Sequence, residues 1–105
     1  MRNLTLSILT LLISISAYAD TDTKPQTIRS ISTGWSAEGI FISLTGSEIV
    51  EGCEWARLRL NNDHTYYDQI LTLALSAFHA ESKVVVRVSG CTGKDMTIKA
   101  ISLVK

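Results

Sequence analysis

The segment VRVSGCTGKD, Val86–Asp95, joins a glycine–lysine pair to a cysteine and could serve two kinds of chemistry. A phosphate-binding loop requires G-x-x-x-x-G-K-[ST] between a strand and a helix. Gly93 and Lys94 fit that pattern, but Val88 stands where its first glycine belongs, and Asp95 replaces the magnesium-binding hydroxyl. The residues that follow favour a strand, so no helix N-terminus would face a phosphate. The segment therefore predicts a turn between strands, with no nucleotide or other cofactor.

Cys53 and Cys91 are the two cysteines of the chain. In an oxidising compartment, such a pair in a small domain typically forms a disulfide, here predicted as Cys53–Cys91. The alternatives are two free thiols or a metal pair. The two histidines, His64 and His79, have no zinc-ligand spacing to the cysteines, which argues against a metal site. The long separation of the cysteines argues against redox chemistry as well.

Hydrolytic catalysis has little support in the sequence. Ser76 and His79 are three residues apart on a predicted helix and could touch, but a triad also needs an orienting carboxylate and an oxyanion site. The chain has no G-x-S-x-G nucleophile motif. Glu48, Glu51 and Glu54 are clustered, and an acidic loop of this kind is usually solvated. We therefore predict a protein that is not an enzyme.

Trp55, Arg57 and Arg59 are the residues that most suggest binding. They alternate with apolar residues in CEWARLRL, Cys53–Leu60, and would share the outer face of a strand. Aromatic and guanidinium groups on a β face can stack on sugars, bases or partner side chains. The alternative is an ordinary exposed strand face with cross-strand ion pairs.

Hydrophobic alternation and turn residues predict the elements that would position these side chains. The predicted strands are Thr27–Trp35, Gly39–Leu44, Cys53–Leu60, Val84–Ser89 and Met96–Val104, with turns at Ser36–Gly39 and Gly90–Asp95. We interpret Trp35, at the end of the first strand, as a core aromatic. A helix is predicted from about Tyr66 to about Ser82, with Thr65 as its N-cap.

The predicted helix has an apolar arc wider than one sheet would cover. Its polar residues Asp68, Thr72, Ser76 and His79 recur at intervals of four, four and three, which places them on one narrow stripe. Either the helix is deeply buried between the sheet and loops, or part of it contacts a neighbouring subunit.

The N-terminus has the order of a secretory signal peptide over residues 1–19. A basic start precedes the 12-residue apolar run Leu4–Ile15, and Ala17-Tyr18-Ala19 is a cleavage signal. The alternative is a membrane anchor, but spanning a bilayer takes about 20 residues. We expect export to the periplasm or beyond, with no membrane insertion after cleavage, a flexible N-terminal tail at 20–26 and one domain at 27–105.

The charge balance excludes some partners. The chain has ten basic and ten acidic side chains, and cleavage would remove the basic Arg2. No basic excess remains to hold a nucleic-acid backbone, and no polybasic stripe remains for an anionic membrane.

The predicted order of three strands, a helix and two strands is that of the OB-fold, a five-stranded Greek-key barrel. Within this layout, DQILTLALSAFHAESKVVVRVSGC, Asp68–Cys91, resembles the B subunits of AB5 toxins, such as those of subtilase cytotoxin and the pertussis-like toxins. It also resembles small exported bacterial proteins with a V-x-V-x-G-C strand ending.

This resemblance implies a mainly β, OB-like domain that binds a glycan or receptor without catalysis. It also implies a homo-pentameric ring whose helices line a pore, so that Thr72, Ser76 and His79 would mark a subunit interface or the pore. A single-disulfide OB domain could equally be a monomer. The alternative function is that of a periplasmic inhibitor or envelope protein that binds another protein.

Overall fold

The computed structural model describes residues 20–35 and 37–105. The predicted signal peptide and Ser36 of the first predicted turn lie outside this range. The described residues form six strands and one helix: β1 Thr21–Asp22, β2 Ile28–Thr33, β3 Ile40–Leu44, β4 Leu58–Leu60, α1 Tyr67–Ala80, β5 Lys83–Thr92 and β6 Asp95–Val104. None of the described helical residues form a segment long and apolar enough to cross a membrane.

The strands form one sheet in the order β1-β5-β6-β4-β3-β2. β2, β3 and β4 make an antiparallel meander, and β5 and β6 make a long antiparallel hairpin. The two units are joined by parallel pairing of β4 with β6. The predicted class, mainly β with one helix, is confirmed. The described strands number six in an open order, whereas the sequence predicts a five-stranded barrel.

The additional strand lies in the segment that the sequence predicts to be a flexible tail. Thr21 and Asp22 pair with β5, and Gln26 forms a further bridge to the same strand. The Asp22 carboxylate accepts hydrogen bonds of 2.7 and 3.1 Å from Arg87, which hold its pKa below the usual value. The segment is polar, so hydrophobic alternation cannot reveal it, and the backbone groups of β5 supply its pairing instead.

The third predicted strand is much shorter than the alternation in Cys53–Leu60 suggests. Only Leu58–Leu60 pairs with neighbouring strands, and residues 53–57 form a loop. Two backbone bonds hold this loop against the β5–β6 hairpin: Trp55 N–H donates to the Lys94 carbonyl, and Met96 N–H donates to the Arg57 carbonyl, both at 2.9 Å. Alternation of polar and apolar residues indicates which side of the chain faces solvent. A loop that is anchored against the sheet can show the same alternation as a strand.

The helix begins one residue later than predicted, and Thr65 does not cap it. Tyr66 occupies the N-cap position and makes no side-chain capping bond. Its backbone N–H donates to His64 Nδ1 at 2.9 Å, while His64 Nε2 lies 2.9 Å from the Lys99 carbonyl oxygen. The bond to Nδ1 satisfies the backbone N–H of the N-cap residue and none of the first helical N–H groups, and the imidazole ties the helix start to β6.

The main core lies between the sheet and α1. Its fully buried members include Ile42, Leu58 and Val86 from the sheet, and the helix contributes Ala74 and Ala77. These two alanines allow close approach of the helix to the sheet. The helix therefore contributes only a narrow stripe to the core.

The predicted disulfide between Cys53 and Cys91 is confirmed. The two Sγ atoms lie 2.06 Å apart, with the Cα atoms 5.7 Å apart. The bond joins the loop before β4 to the end of β5, and so links a segment that precedes α1 in the sequence to one that follows it.

Reduction of this disulfide should lower the free energy of unfolding by about 4 kcal/mol, because the cross-link reduces the conformational entropy of the unfolded chain. The measurement is urea unfolding of the protein with and without reductant, and mass spectrometry should show that the reduced protein gains two hydrogens. The Cys53→Ser/Cys91→Ser double variant is the control, since reductant should leave it unchanged. Unfolding that is the same for oxidised and reduced wild-type protein would contradict the prediction.

Candidate functional site

The three predicted binding residues lie close together, but they do not share a strand face. Arg59 lies within β4, Arg57 immediately precedes it, and Trp55 belongs to the preceding loop. Phe41 of β3, on the outer side of the sheet, lies against both arginines, and Trp55 lies beside Arg57. The guanidinium carbons of Arg57 and Arg59 lie 4.2 and 5.6 Å from the centre of the Phe41 ring.

Phe41 is buried without belonging to the main core. Its exposed fraction is 1 %, yet it lies outside the core cluster that contains its neighbours Ile42 and Leu44. The two guanidinium groups cover the ring, an arrangement that combines cation–π attraction with burial of the arginine stems. The arginines therefore have a partly structural role, and their side chains are only partly exposed to solvent.

Asp95, the first residue of β6, fixes these arginines. It is 3 % exposed and accepts hydrogen bonds from Arg57 Nε at 2.8 Å and Nη2 at 3.1 Å. Arg59 Nη1 lies 3.9 Å from the same carboxylate. The sequence predicts a turn at Asp95 and no site residue there, because a single acid beside Gly-Lys gives no sign of a partner 38 residues away. Arg57 lies in the loop before β4 and Asp95 is buried, so this ion pair is not the exposed cross-strand contact of the alternative interpretation, and a binding role for these residues stays a prediction.

Trp55 is the exposed member of the cluster. Its exposed fraction is 47 %, and both Arg57 Cζ and Lys94 Nζ lie 5.2 Å from the ring centroid. Lys94 belongs to the glycine–lysine pair that does not fit a phosphate loop, and nothing in the sequence places it beside Trp55. We call Phe41, Trp55, Arg57, Lys94 and Asp95 the Trp55 cluster.

A groove of about 340 Å³ lies beside the Trp55 cluster. Trp55 and Arg57 form part of its wall, together with the polar side chains of Arg29, Ser47 and Glu54. Arg59 does not line this groove, so the structure separates it from Trp55 and Arg57. The groove offers an aromatic surface next to hydrogen-bond donors and acceptors, which include both positively and negatively charged side chains. This combination suits a ligand that stacks on the ring and also forms hydrogen bonds.

The second set of predicted residues, Thr72, Ser76 and His79, is exposed on α1. Leu73, Leu75 and Phe78 are exposed too. In helical projection, Leu73 lies on one side of the polar stripe and Leu75 on the other. Deep burial therefore does not account for the wide apolar arc, and contact with a neighbouring subunit stays a prediction.

Trp35 is not the core aromatic that the sequence predicts. It is 67 % exposed, in the loop that joins β2 to β3. The preceding Gly34 has a φ of 89°, a left-handed conformation open to glycine, and β2 has already ended at Thr33. The strand therefore stops short of the tryptophan.

The comparisons with known proteins bring no relative to bear on this site. No protein-family model matches the chain, and no curated protein is significantly similar to it. Within residues 20–35 and 37–105, no three His, Cys, Asp or Glu side chains come together as a metal site.

Replacing Asp95 with Asn should lower the free energy of unfolding by about 2 kcal/mol, because it leaves Arg57 without its anionic partner in a half-buried setting. Chemical unfolding followed by circular dichroism measures this loss.

The matched control is Asp22→Asn, which removes the other two-bond arginine pair, with Arg87, at an exposed position. Its effect should be much smaller, since exposed ion pairs contribute little. Equal losses in the two variants would show that burial of Asp95 does not matter.

Proposed function

We propose that this chain is an exported, non-catalytic binding domain that acts as a glycan- or receptor-binding subunit of the AB5 B-subunit type. The observation that carries the proposal is the Trp55 cluster, an exposed indole held in place beside a groove. Trp55 belongs to the residue types that dominate binding energy because a large apolar surface is combined with a polar N–H group.

The proposed fold is an OB-like domain. The helix stands between the third strand of the meander and the final hairpin, as in the OB-fold layout. The parallel pairing of β4 with β6 joins the meander to the hairpin. β1 and Gln26 pair with β5, and β2, the next strand in the chain, pairs with β3. The two edge strands of the sheet, β1 and β2, are therefore consecutive in the sequence.

Export is proposed from two features. The first is the signal-peptide order of residues 1–19, and the second is the Cys53–Cys91 disulfide, since such bonds persist in oxidising compartments. The two features are independent, because one lies in the N-terminal segment and the other in the folded domain.

The cluster assigns different roles to its cations. Arg57 is bonded to Asp95 at two points and acts as the support of the indole. Lys94 has a flexible stem, so a ligand can displace its ammonium from the ring. A sugar ring or a partner side chain would then stack on the indole face that Lys94 leaves.

Trp55→Ala should abolish most ligand capture and leave the fold intact, because the side chain is half-exposed and lies outside the main core. A glycan array probed with the labelled mature protein measures capture, and thermal unfolding checks the fold. Leu103→Ala is the control, because Leu103 is an exposed large apolar side chain on β6 that does not line the groove beside the Trp55 cluster. The proposal fails for this surface if both variants capture equally well, or if the array stays blank for the wild-type protein.

The helix α1 supports a second proposal, in which the exposed flanks of this helix bind protein. Leu73 and Leu75 are both exposed and lie on opposite sides of the polar stripe. A ring of identical subunits uses two different surfaces of each copy, which fits a helix that is apolar on both flanks. A homo-pentamer is the proposed assembly, and a periplasmic inhibitor or envelope protein that covers the same flanks is the alternative.

Light scattering coupled to size exclusion should show an oligomer of the mature protein at micromolar concentration, and Leu73→Asp with Leu75→Asp should convert it to a monomer. The reason is that burying an unpaired carboxylate at a subunit contact is unfavourable. Ser102→Asp, an exposed change on β6 and not on α1, should leave the oligomer intact. A monomeric wild-type protein would contradict the ring. The alternative, in which the helix flanks bind a different protein, would then be the remaining proposal.

A further inference from the structure

Arg59 borders a second groove, which shares no lining residue with the groove beside the Trp55 cluster. This groove has a volume of about 360 Å³ and lies between the β2–β3 loop, the segment after β4 and the end of β5. Its lining residues all have polar side chains: Glu38, Arg59, Asn61, Asn62, Asp63 and Thr92. The volume lies within the range of small-molecule sites, roughly 300–1,000 Å³.

The groove walls are held by hydrogen bonds between the three segments. Arg59 Nε donates to the Glu38 carbonyl at 3.1 Å, and Asn62 Nδ2 lies 3.5 Å from a Glu38 carboxylate oxygen. Asn61 Nδ2 donates to Thr92 Oγ1 at 3.2 Å. Thr92 Oγ1 in turn lies 2.7 Å from Thr97 Oγ1 on β6. The polar groups are thus positioned before any ligand arrives, which reduces the entropy lost on binding.

The chemistry of the lining limits the ligand class. Amide, carboxylate and guanidinium groups supply both donors and acceptors in planar pairs, which match the adjacent hydroxyls of a sugar. An apolar ligand would displace water from the remaining donors and acceptors of these groups without replacing its hydrogen bonds, which is unfavourable. The charges are one cation, Arg59, against two anions, Glu38 and Asp63, so the groove disfavours an acidic ligand.

Exposed aromatic side chains stand on the two loops that border the groove. Trp35 belongs to the same β2–β3 loop as Glu38, and Tyr66 follows the Asn61–Asp63 segment. An apolar ring face with a polar edge complements the mixed surface of a sugar. Polar lining and neighbouring aromatic groups therefore favour the same class of ligand.

We propose that this groove is a binding site for an uncharged sugar, with Arg59, Asn62 and Asp63 as hydrogen-bonding residues, and that it is separate from the Trp55 cluster. The inference rests on the proposed function, since it assigns a sugar class and a second location to the same binding domain.

The test is an NMR titration of the isotope-labelled mature protein with D-galactose, D-glucose and D-mannose, and with N-acetylneuraminic acid as the acidic comparison. At least one neutral sugar should shift the side-chain amide signals of Asn61 and Asn62 saturably, without shifting the Trp55 indole signal. Asp63→Ala should weaken that binding on the order of tenfold, because a hydrogen bond to a charged group is lost. Asp68→Asn, an exposed carboxylate change on α1, should have no effect.

Three results would overturn the inference. Shifts confined to the Trp55 indole would move the sugar to the Trp55 cluster and leave the proposed function standing. Tighter binding of N-acetylneuraminic acid at the Asn61 and Asn62 amides would overturn the preference for an uncharged ligand. No shift with any sugar would remove the groove as a sugar site, and the glycan array would then decide the proposed function separately.

Discussion

The Asp95 carboxylate is the group on which the outer face of the sheet depends. It is almost wholly removed from water, which is unfavourable for a charge unless cations accompany it into the protein. Arg57 meets this demand with two hydrogen bonds, and Arg59 adds a weaker contact. Drawing both guanidinium groups to one carboxylate also brings them over Phe41, whose ring is then buried outside the core cluster that contains Ile42 and Leu44.

The same arrangement explains how a loop can hold Trp55 in place. The disulfide fixes Cys53, and a backbone bond from Trp55 to Lys94 fixes the indole residue itself. Arg57, two residues later, is held by Asp95. Three attachments within five residues leave the loop little freedom to lose, so the ordering cost of binding is met during folding.

How far the sequence predicts this structure depends on the source of each feature. Alternation and periodicity locate the main strands and the helix because burial on one side dictates them, and the cysteine pair predicts its own bond. Asp95 escapes prediction because its role comes from arginines far away in the chain. β1 escapes because its pairing comes from β5, and Trp35 is misjudged because residue type alone cannot show that β2 ends at Thr33. Of the candidate site, Trp55 and its arginines are foreseeable as types, whereas their separation into two grooves is not.

Arg59 stands between these two grooves, yet its position keeps them energetically separate. Its contact with Asp95 is 3.9 Å long, whereas Arg57 makes bonds of 2.8 and 3.1 Å to the same group. Short two-point pairing of a guanidinium with a carboxylate is the stronger interaction. A ligand that draws Arg59 toward itself uncovers part of the Phe41 ring but leaves Asp95 paired, Arg57 fixed and the Trp55 indole supported. Binding at the Arg59 groove is therefore compatible with a supported Trp55 indole, and a single domain of this size can present both surfaces at once.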